Sequence, residues 1–195
     1  LRFFERAEIK DALSYLRLLL NPSDVIAFTR ATSTPSRGIG PKSLEVLAQT
    51  AETYQVHLFE AARLAVEFGW LKGKAREALR AFYKLYTQGE HLKHLTMVAQ
   101  AEALLRQAKL YEPERLELER DEVAKGRMEN VLQLLETVRA YEEGGSERAP
   151  QPDELDPYAF EGEPQGPSWF GYLEQVKLIS GADDDLGDEK GQERV

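Results

Sequence analysis

The sequence predicts an all-α fold, an irregular multi-helix domain, and three observations carry that prediction. Apolar residues recur at three- and four-residue spacing through most of the 195 positions. Prolines, glycines and short polar residues fall between those runs, where helices start and stop. No stretch alternates apolar and polar residues as a half-buried strand would.

Ile9, Ala12, Leu13, Leu16 and Leu20 form one buried stripe on a first helix that ends at Asn21-Pro22. Asp24 can cap a short second helix carrying Val25, Ile26 and Phe28. The run Ser33-Thr34-Pro35-Ser36-Arg37-Gly38-Ile39-Gly40 breaks the periodicity. Pro41 then suits a first helical position, where its missing N–H is not needed. Leu44, Val46, Leu47 and Ala51 continue that third helix; Leu58, Ala61, Ala62 and Ala65 make a fourth, stopped near Gly69. Helices are expected over 74–87, 97–110 and 126–143, the last around Met128, Val131, Leu134, Leu135 and Val138. These elements form a main body over 1–143. Residues 144–167 hold Gly144-Gly145 and five prolines among acidic residues, and predict a long mobile acidic loop. A returning helix is expected over 168–180, carrying Trp169, Phe170, Leu173, Val176 and Ile179. The tail 181–195, with Asp183, Asp184, Asp185, Asp188 and Glu189, is expected to be a disordered acidic linker.

Composition narrows the function classes. At 42% hydrophobic the chain can bury a core. No apolar run approaches the ~18 residues of a membrane span, so no membrane partner is expected. The N-terminus, with Arg2, Glu5, Arg6, Glu8 and Lys10, lacks the apolar region of a secretory leader. The absence of cysteine removes disulfides and thiolate metal sites, and a reducing cytoplasm is the expected setting. The chain starts at Leu1 without methionine and is expected to be part of something longer. Net charge is −9, but unevenly spread: 16 Lys and Arg stand against 11 Asp and Glu over residues 1–110, and 9 against 23 over 111–195. A basic first half can meet phosphate while the acidic second half stays in water.

The most informative stretch is Thr34 to Ser43. A Gly–hydrophobic–Gly turn between helices lets backbone approach a ligand closely, since neither glycine carries a Cβ. It leads into a helix N-terminus, where free N–H groups and the dipole favour an anion. Gly38, Ile39 and Gly40 form the turn, with Ile39 tucked between the helices as its anchor. Arg37, Lys42 and the Ser43 hydroxyl are placed to contact neighbouring phosphates. This is the physics of a helix-hairpin-helix element, which holds the DNA backbone without reading sequence. The same Gly-x-Gly also serves as a plain turn between helices, and both readings stand at this point. A nucleotide-binding loop is excluded, because the Gly-x-x-x-x-Gly-Lys-[Ser/Thr] spacing is absent and no strand precedes it.

Other candidates are weaker. Arg76, Arg80 and Lys84, with Lys72 and Lys74 ahead of them, read first as a solvated helix face and second as an extension of a phosphate-binding surface. His91 and His94 have metal-like spacing without further ligands, and read as surface histidines. Three adjacent aspartates at 183–185 read as charged tail rather than a cation loop. Phe82, Tyr83 and Tyr86 read as core. No serine nucleophile is supported, and no catalytic or metal residue is assigned.

The run Phe3-Phe4-Glu5-Arg6-Ala7-Glu8-Ile9-Lys10-Asp11-Ala12-Leu13, continuing through Tyr15-Leu16-Arg17-Leu18, resembles the UvrD/PcrA/Rep helicases of superfamily 1. So do Asn21-Pro22 with Asp24, Ala27, Phe28 and Arg30, then Thr34-Pro35, Arg37 and Gly38-Ile39-Gly40. Arg127-Met128-Glu129-Asn130 with Leu134-Leu135, and Tyr172-Leu173, Leu178, Ser180 and Asp183, resemble further family stretches. The resemblance implies the 2B subdomain of an ATP-dependent 3'-5' DNA helicase, an insertion in the second motor domain that swivels and contacts duplex DNA. It implies Gly38, Ile39 and Gly40 as the phosphate-contacting turn, helped by Arg37, Lys42 and Ser43. Pro41 stands where relatives often carry a polar residue, which removes one N–H donor. ATP and Mg2+ would belong to the parent helicase, with none bound here and no activity in this chain alone. Duplex DNA, the parent's motor domains, and DNA-repair or transcription proteins are the implied partners, in a nucleoid-associated cytoplasmic setting. A protein-interaction or autoinhibitory module, or the equivalent insertion of an AddA/RecB-like helicase-nuclease, stand as alternatives.

Overall fold

A computed structural model describes residues 3–87, 92, 94–147 and 166–189. Among them no strand occurs, as expected. A 3-10 turn at Phe3–Glu5 leads into α1 (Ala7–Leu20), α2 (Val25–Ser33), α3 (Pro41–Tyr54), α4 (Leu58–Glu67) and α5 (Gly73–Thr87). Then follow α6 (Met97–Gln107), the short α7 (Pro113–Leu116), α8 (Glu122–Glu147) and α9 (Trp169–Glu189).

Local chemistry sets most helix starts. The Asp24 carboxylate accepts from the Ala27 N–H at 2.9 Å and pairs with Arg17 at 2.6 Å, fixing α2 onto the end of α1. His57 Nδ1 accepts from the Glu60 N–H at the start of α4. Thr96 does the same for α6, and Glu142 reaches from α8 to accept from the Met97 N–H at 2.7 Å. Three helices stop at left-handed residues: Gln55 (φ 52°) after α3, Gly69 (φ 71°) after α4 and Lys109 (φ 64°) after α6.

The first five helices close on an aromatic core. Phe28 from α2 and Phe82 from α5 meet edge to face with centroids 5.7 Å apart, and Phe59 from α4 meets Tyr86 at 5.2 Å. Tyr15 of α1 packs edge-on against Phe82. The predicted stripe of α1 is buried at Ile9, Ala12, Leu13 and Leu16, while Leu20 lies exposed at the helix end. Val25 and Ile26 also face solvent, because the inward face of α2 is made by Ala27, Phe28, Ala31 and Thr32.

In the second half, α8 packs on α6 and α1 through Val131, Leu134, Leu135 and Val138. Helix α9 returns to α1 and the 3-10 turn. The Tyr172 hydroxyl meets Thr137 of α8 at 2.8 Å, and a Cβ at Gly171 would run into the Tyr141 hydroxyl. Two of the signature stretches meet here: Asn130 on α8 accepts from Arg6 and donates to Glu8.

Two helices in the second half run past their expected ends. Helix α8 runs through Gly144-Gly145 to Glu147, so residues 144–147 are not loop. Helix α9 runs on to Glu189, so the acidic run Asp183–Glu189 is helical rather than disordered. In both places no proline interrupts a helix already nucleated on packed residues, and adding one residue costs far less than starting a helix. Phe170 and Ile179, expected on the buried face of α9, are exposed, and Tyr172 and Val176 do the packing. The remainder of the predicted acidic loop and tail lies outside the described residues.

Candidate nucleic-acid interface

The turn between α2 and α3 owes its shape to residues that seldom swap roles. Gly38 has φ +81°, a left-handed conformation that favours glycine. Ile39 is buried at 7% exposure and anchors the turn, as its place between two glycines predicts. Gly40 has an ordinary extended backbone, and a Cβ there would meet nothing within 4 Å. Its missing side chain therefore opens space rather than relieving strain.

Helix α3 starts without a side-chain cap. The Gly40 carbonyl accepts from the Ser43 and Leu44 N–H groups at 2.9 and 3.1 Å. Among the described residues the N–H groups of Gly38, Gly40 and Lys42 donate to no other backbone group. Pro41 has none to offer. Unpaired N–H groups at the positive end of a helix, with open space where a Gly40 side chain would stand, suit an anion.

The six sequence-predicted residues divide by direction. Gly38, Gly40 and the exposed Lys42 face outward at the turn. Arg37 does not: its guanidinium is turned into the protein. Nη1 donates to the Tyr15 hydroxyl at 2.6 Å and lies 3.1 to 3.3 Å from the carbonyls of Ala31, Thr34 and Pro35. Nη2 donates to the Ala108 carbonyl at 2.6 Å, at the C-terminal end of α6, where a cation also suits the helix dipole. Tyr15 in turn donates to the Ala31 or Thr34 carbonyl, both within 2.7 Å. Burial pushes the Tyr15 phenol up to about 12, only partly countered by Arg37, so it remains a neutral donor. Ser43 is buried at 8% exposure, which takes its hydroxyl away from the outer surface. Arg37 is thus a clasp that locks the turn to α1 and α6, and its sequence position beside the glycines hid that direction.

The structure adds a residue to the outward group. A Cβ at Gly38 would lie 3.8 Å from the Lys74 Cβ, so the first turn of α5 abuts the glycine turn. Lys42, Lys72 and Lys74 are all exposed. Of the other α5 cations, Arg76 donates to the Val66 carbonyl at the end of α4 and Arg80 pairs with Glu77, while Lys84 is exposed. Phe82 is fully buried, with Tyr83 and Tyr86 packed against the core, as expected. His94 is exposed, while His91 lies outside the described residues. No cluster of metal-ligating side chains occurs among the described residues, and no helix there is long and apolar enough to cross a membrane.

Residues 1–155 match the UvrD-like helicase C-terminal domain. DNA helicase II of Escherichia coli is 36% identical over 184 residues, covering 92% of this chain and 25% of that protein. DNA helicase II of Haemophilus influenzae is 36% identical over 72% of this chain and 19% of its own length. The ATP-dependent DNA helicase PcrA of Bacillus subtilis is 32% identical over 75% of this chain and 20% of its own length. The chain thus spans about a fifth to a quarter of the length of these relatives.

Proposed function

The chain belongs to the UvrD-like helicase C-terminal domain family, and from that premise we propose that it is the 2B-type accessory subdomain of an ATP-dependent DNA helicase. In this reading it holds the backbone of duplex DNA without reading sequence. The parts outside this chain take up ATP and Mg2+ and do the unwinding. The observation that carries the reading is the open start of α3: unpaired N–H groups at Gly38, Gly40 and Lys42, flanked by exposed lysines. Such N–H groups suit a phosphate oxygen, and the exposed Lys42 and Lys74 beside them suit its neighbours. Ile39 and Arg37 hold the turn from behind.

A salt titration of binding to a fluorescent hairpin duplex tests this. Native chain is compared with a Gly40→Glu, Lys42→Glu double variant. Gly40 has room for a side chain, so the variant puts two carboxylates at the start of α3 without straining the turn. A few phosphate contacts support only weak binding, with Kd on the order of 10⁻⁴ M at physiological salt. The expected result is sequence-independent binding that weakens as salt rises and drops at least tenfold in the variant. Equal binding by both proteins would overturn the reading.

A further inference from the structure

Three aromatic rings stand stacked on the surface at the C-terminal end of α3, the opposite end from the glycine turn. Tyr54, the last residue of α3, lies parallel to Trp70, with centroids 5.4 Å apart and planes 22° apart. Phe68, at the end of α4, lies on Trp70 at 5.2 Å and 24°. Their exposures are 51% for Tyr54, 61% for Phe68 and 41% for Trp70. Left-handed Gln55 and Gly69 set the chain reversals that bring the rings together. The core aromatics meet mostly edge to face, as closed packing favours. The surface three form a parallel ladder instead. Trp70 pairs with both of the others, and Tyr54 and Phe68 are the more exposed of the three.

An exposed apolar cluster of this kind marks a contact surface, and its surroundings select the partner. Lys72 follows Trp70 by two residues and Lys74 by four; both are exposed, and Lys74 abuts Gly38. Among the described residues neither lysine makes an ion pair. The Glu67 carboxylate next to Phe68 shares Arg63 with Glu60. The ladder therefore sits at the end of a cationic path that begins at the glycine turn. Four residues of chain reach at most about 14 Å, the length of about four stacked base steps. A polyanion whose flat rings stack, continuous with the duplex, fits both features.

We infer that Tyr54, Trp70 and Phe68 form a stacking platform for unpaired DNA bases flanking the duplex held at the glycine turn. The inference rests on the duplex-holding reading above and adds a second ligand, the nucleobase, to its phosphate. Flat π-faces accept any base, so this contact too is independent of sequence.

Trp70 reports on its own site. The chain has two tryptophans, and the other, Trp169, is tied to Gln100 at 2.9 Å, so Trp169→Phe leaves Trp70 as sole emitter. In that background, a blunt hairpin is compared with the same hairpin bearing a four-nucleotide single-stranded tail on either strand. One tail is expected to quench Trp70 and tighten binding at least fivefold, the lower end of what one stacked base contributes. Tyr54→Ser and Phe68→Ser, which leave Trp70 in place, are expected to remove the tail's advantage and keep blunt binding. Circular dichroism of both variants confirms the fold. The Gly40→Glu, Lys42→Glu variant should weaken tailed and blunt hairpins by the same factor. Equal affinity for tailed and blunt hairpins in the native chain, with Trp70 unquenched, would overturn the platform and leave the phosphate grip standing. Failure of the native chain to bind either hairpin would overturn both.

Discussion

Replacing Arg37 with leucine separates a clasp from a ligand. The guanidinium Nη1 faces four oxygens but carries two hydrogens, so at most two of those contacts are full hydrogen bonds. Nη2 adds the short bond to Ala108, which gives about three charge-assisted bonds in a partly buried site. Each is worth about 1.5 kcal/mol or more, and the stranded carbonyls lose their partner as well. We expect Arg37→Leu to destabilise the chain by about 4 kcal/mol, the range seen when a buried charge network loses one member. For a domain of this size that lowers Tm by about 8–16 °C. Arg37→Lys should recover only part of the loss, because an ammonium cannot span Tyr15 and Ala108 with a planar fork. Urea titrations followed by circular dichroism, beside hairpin binding at a temperature where the variant stays folded, make the measurement. Stability within 1 kcal/mol of native together with lost DNA binding would refute the clasp and make Arg37 a phosphate contact.

The two glycines of the turn should respond oppositely to alanine. Gly38→Ala places a Cβ at φ +81° and should cost about 1–2 kcal/mol, while Gly40→Ala, with ordinary backbone and open space, should be within about 0.5 kcal/mol of native by the same urea titration. Tyr15 and Tyr172 are both held up to about 12 by burial, so the folded state keeps protons that the unfolded chain releases near pH 10. Their contribution is intact below pH 10 and is lost as pH rises toward 12, by about 2–3 kcal/mol each at most. A fall in Tm over pH 9–11.5 that is markedly shallower in Tyr15→Phe would bear this out, and identical slopes would not.

The helices were legible because the features that specify them are local. A 3.6-residue stripe marks α1, Asp24 and Pro41 mark two starts, and Gly69 marks a stop, each within a few residues of its effect. The glycine turn was legible for the same reason. What sequence hid depends on distant neighbours. Nothing near Arg37 announces Ala108, 71 positions on, as its acceptor. Lys74 joins the turn only because α4 and α5 fold back on α3. Tyr54 and Trp70 stack across a whole intervening helix. Composition also misled at Gly144-Gly145 and at the 183–189 run, where glycine and aspartate suggested coil but packing upstream carried the helix through.

The bare start of α3 makes its first turn conditional. Where Asp24, His57 and Thr96 hold their helices shut from within, the opening residues of α3 rely on water or on an arriving oxyanion. Amide hydrogens at Gly40 and Lys42 should exchange quickly in the free chain and slow when DNA occupies the turn, while those deep in α3 hardly change. Loading would thus be recorded in the protein as a local freezing of a few peptide units, with no movement of the helix body. On the proposed reading, stiffness at one helix end would be the sign that DNA is held.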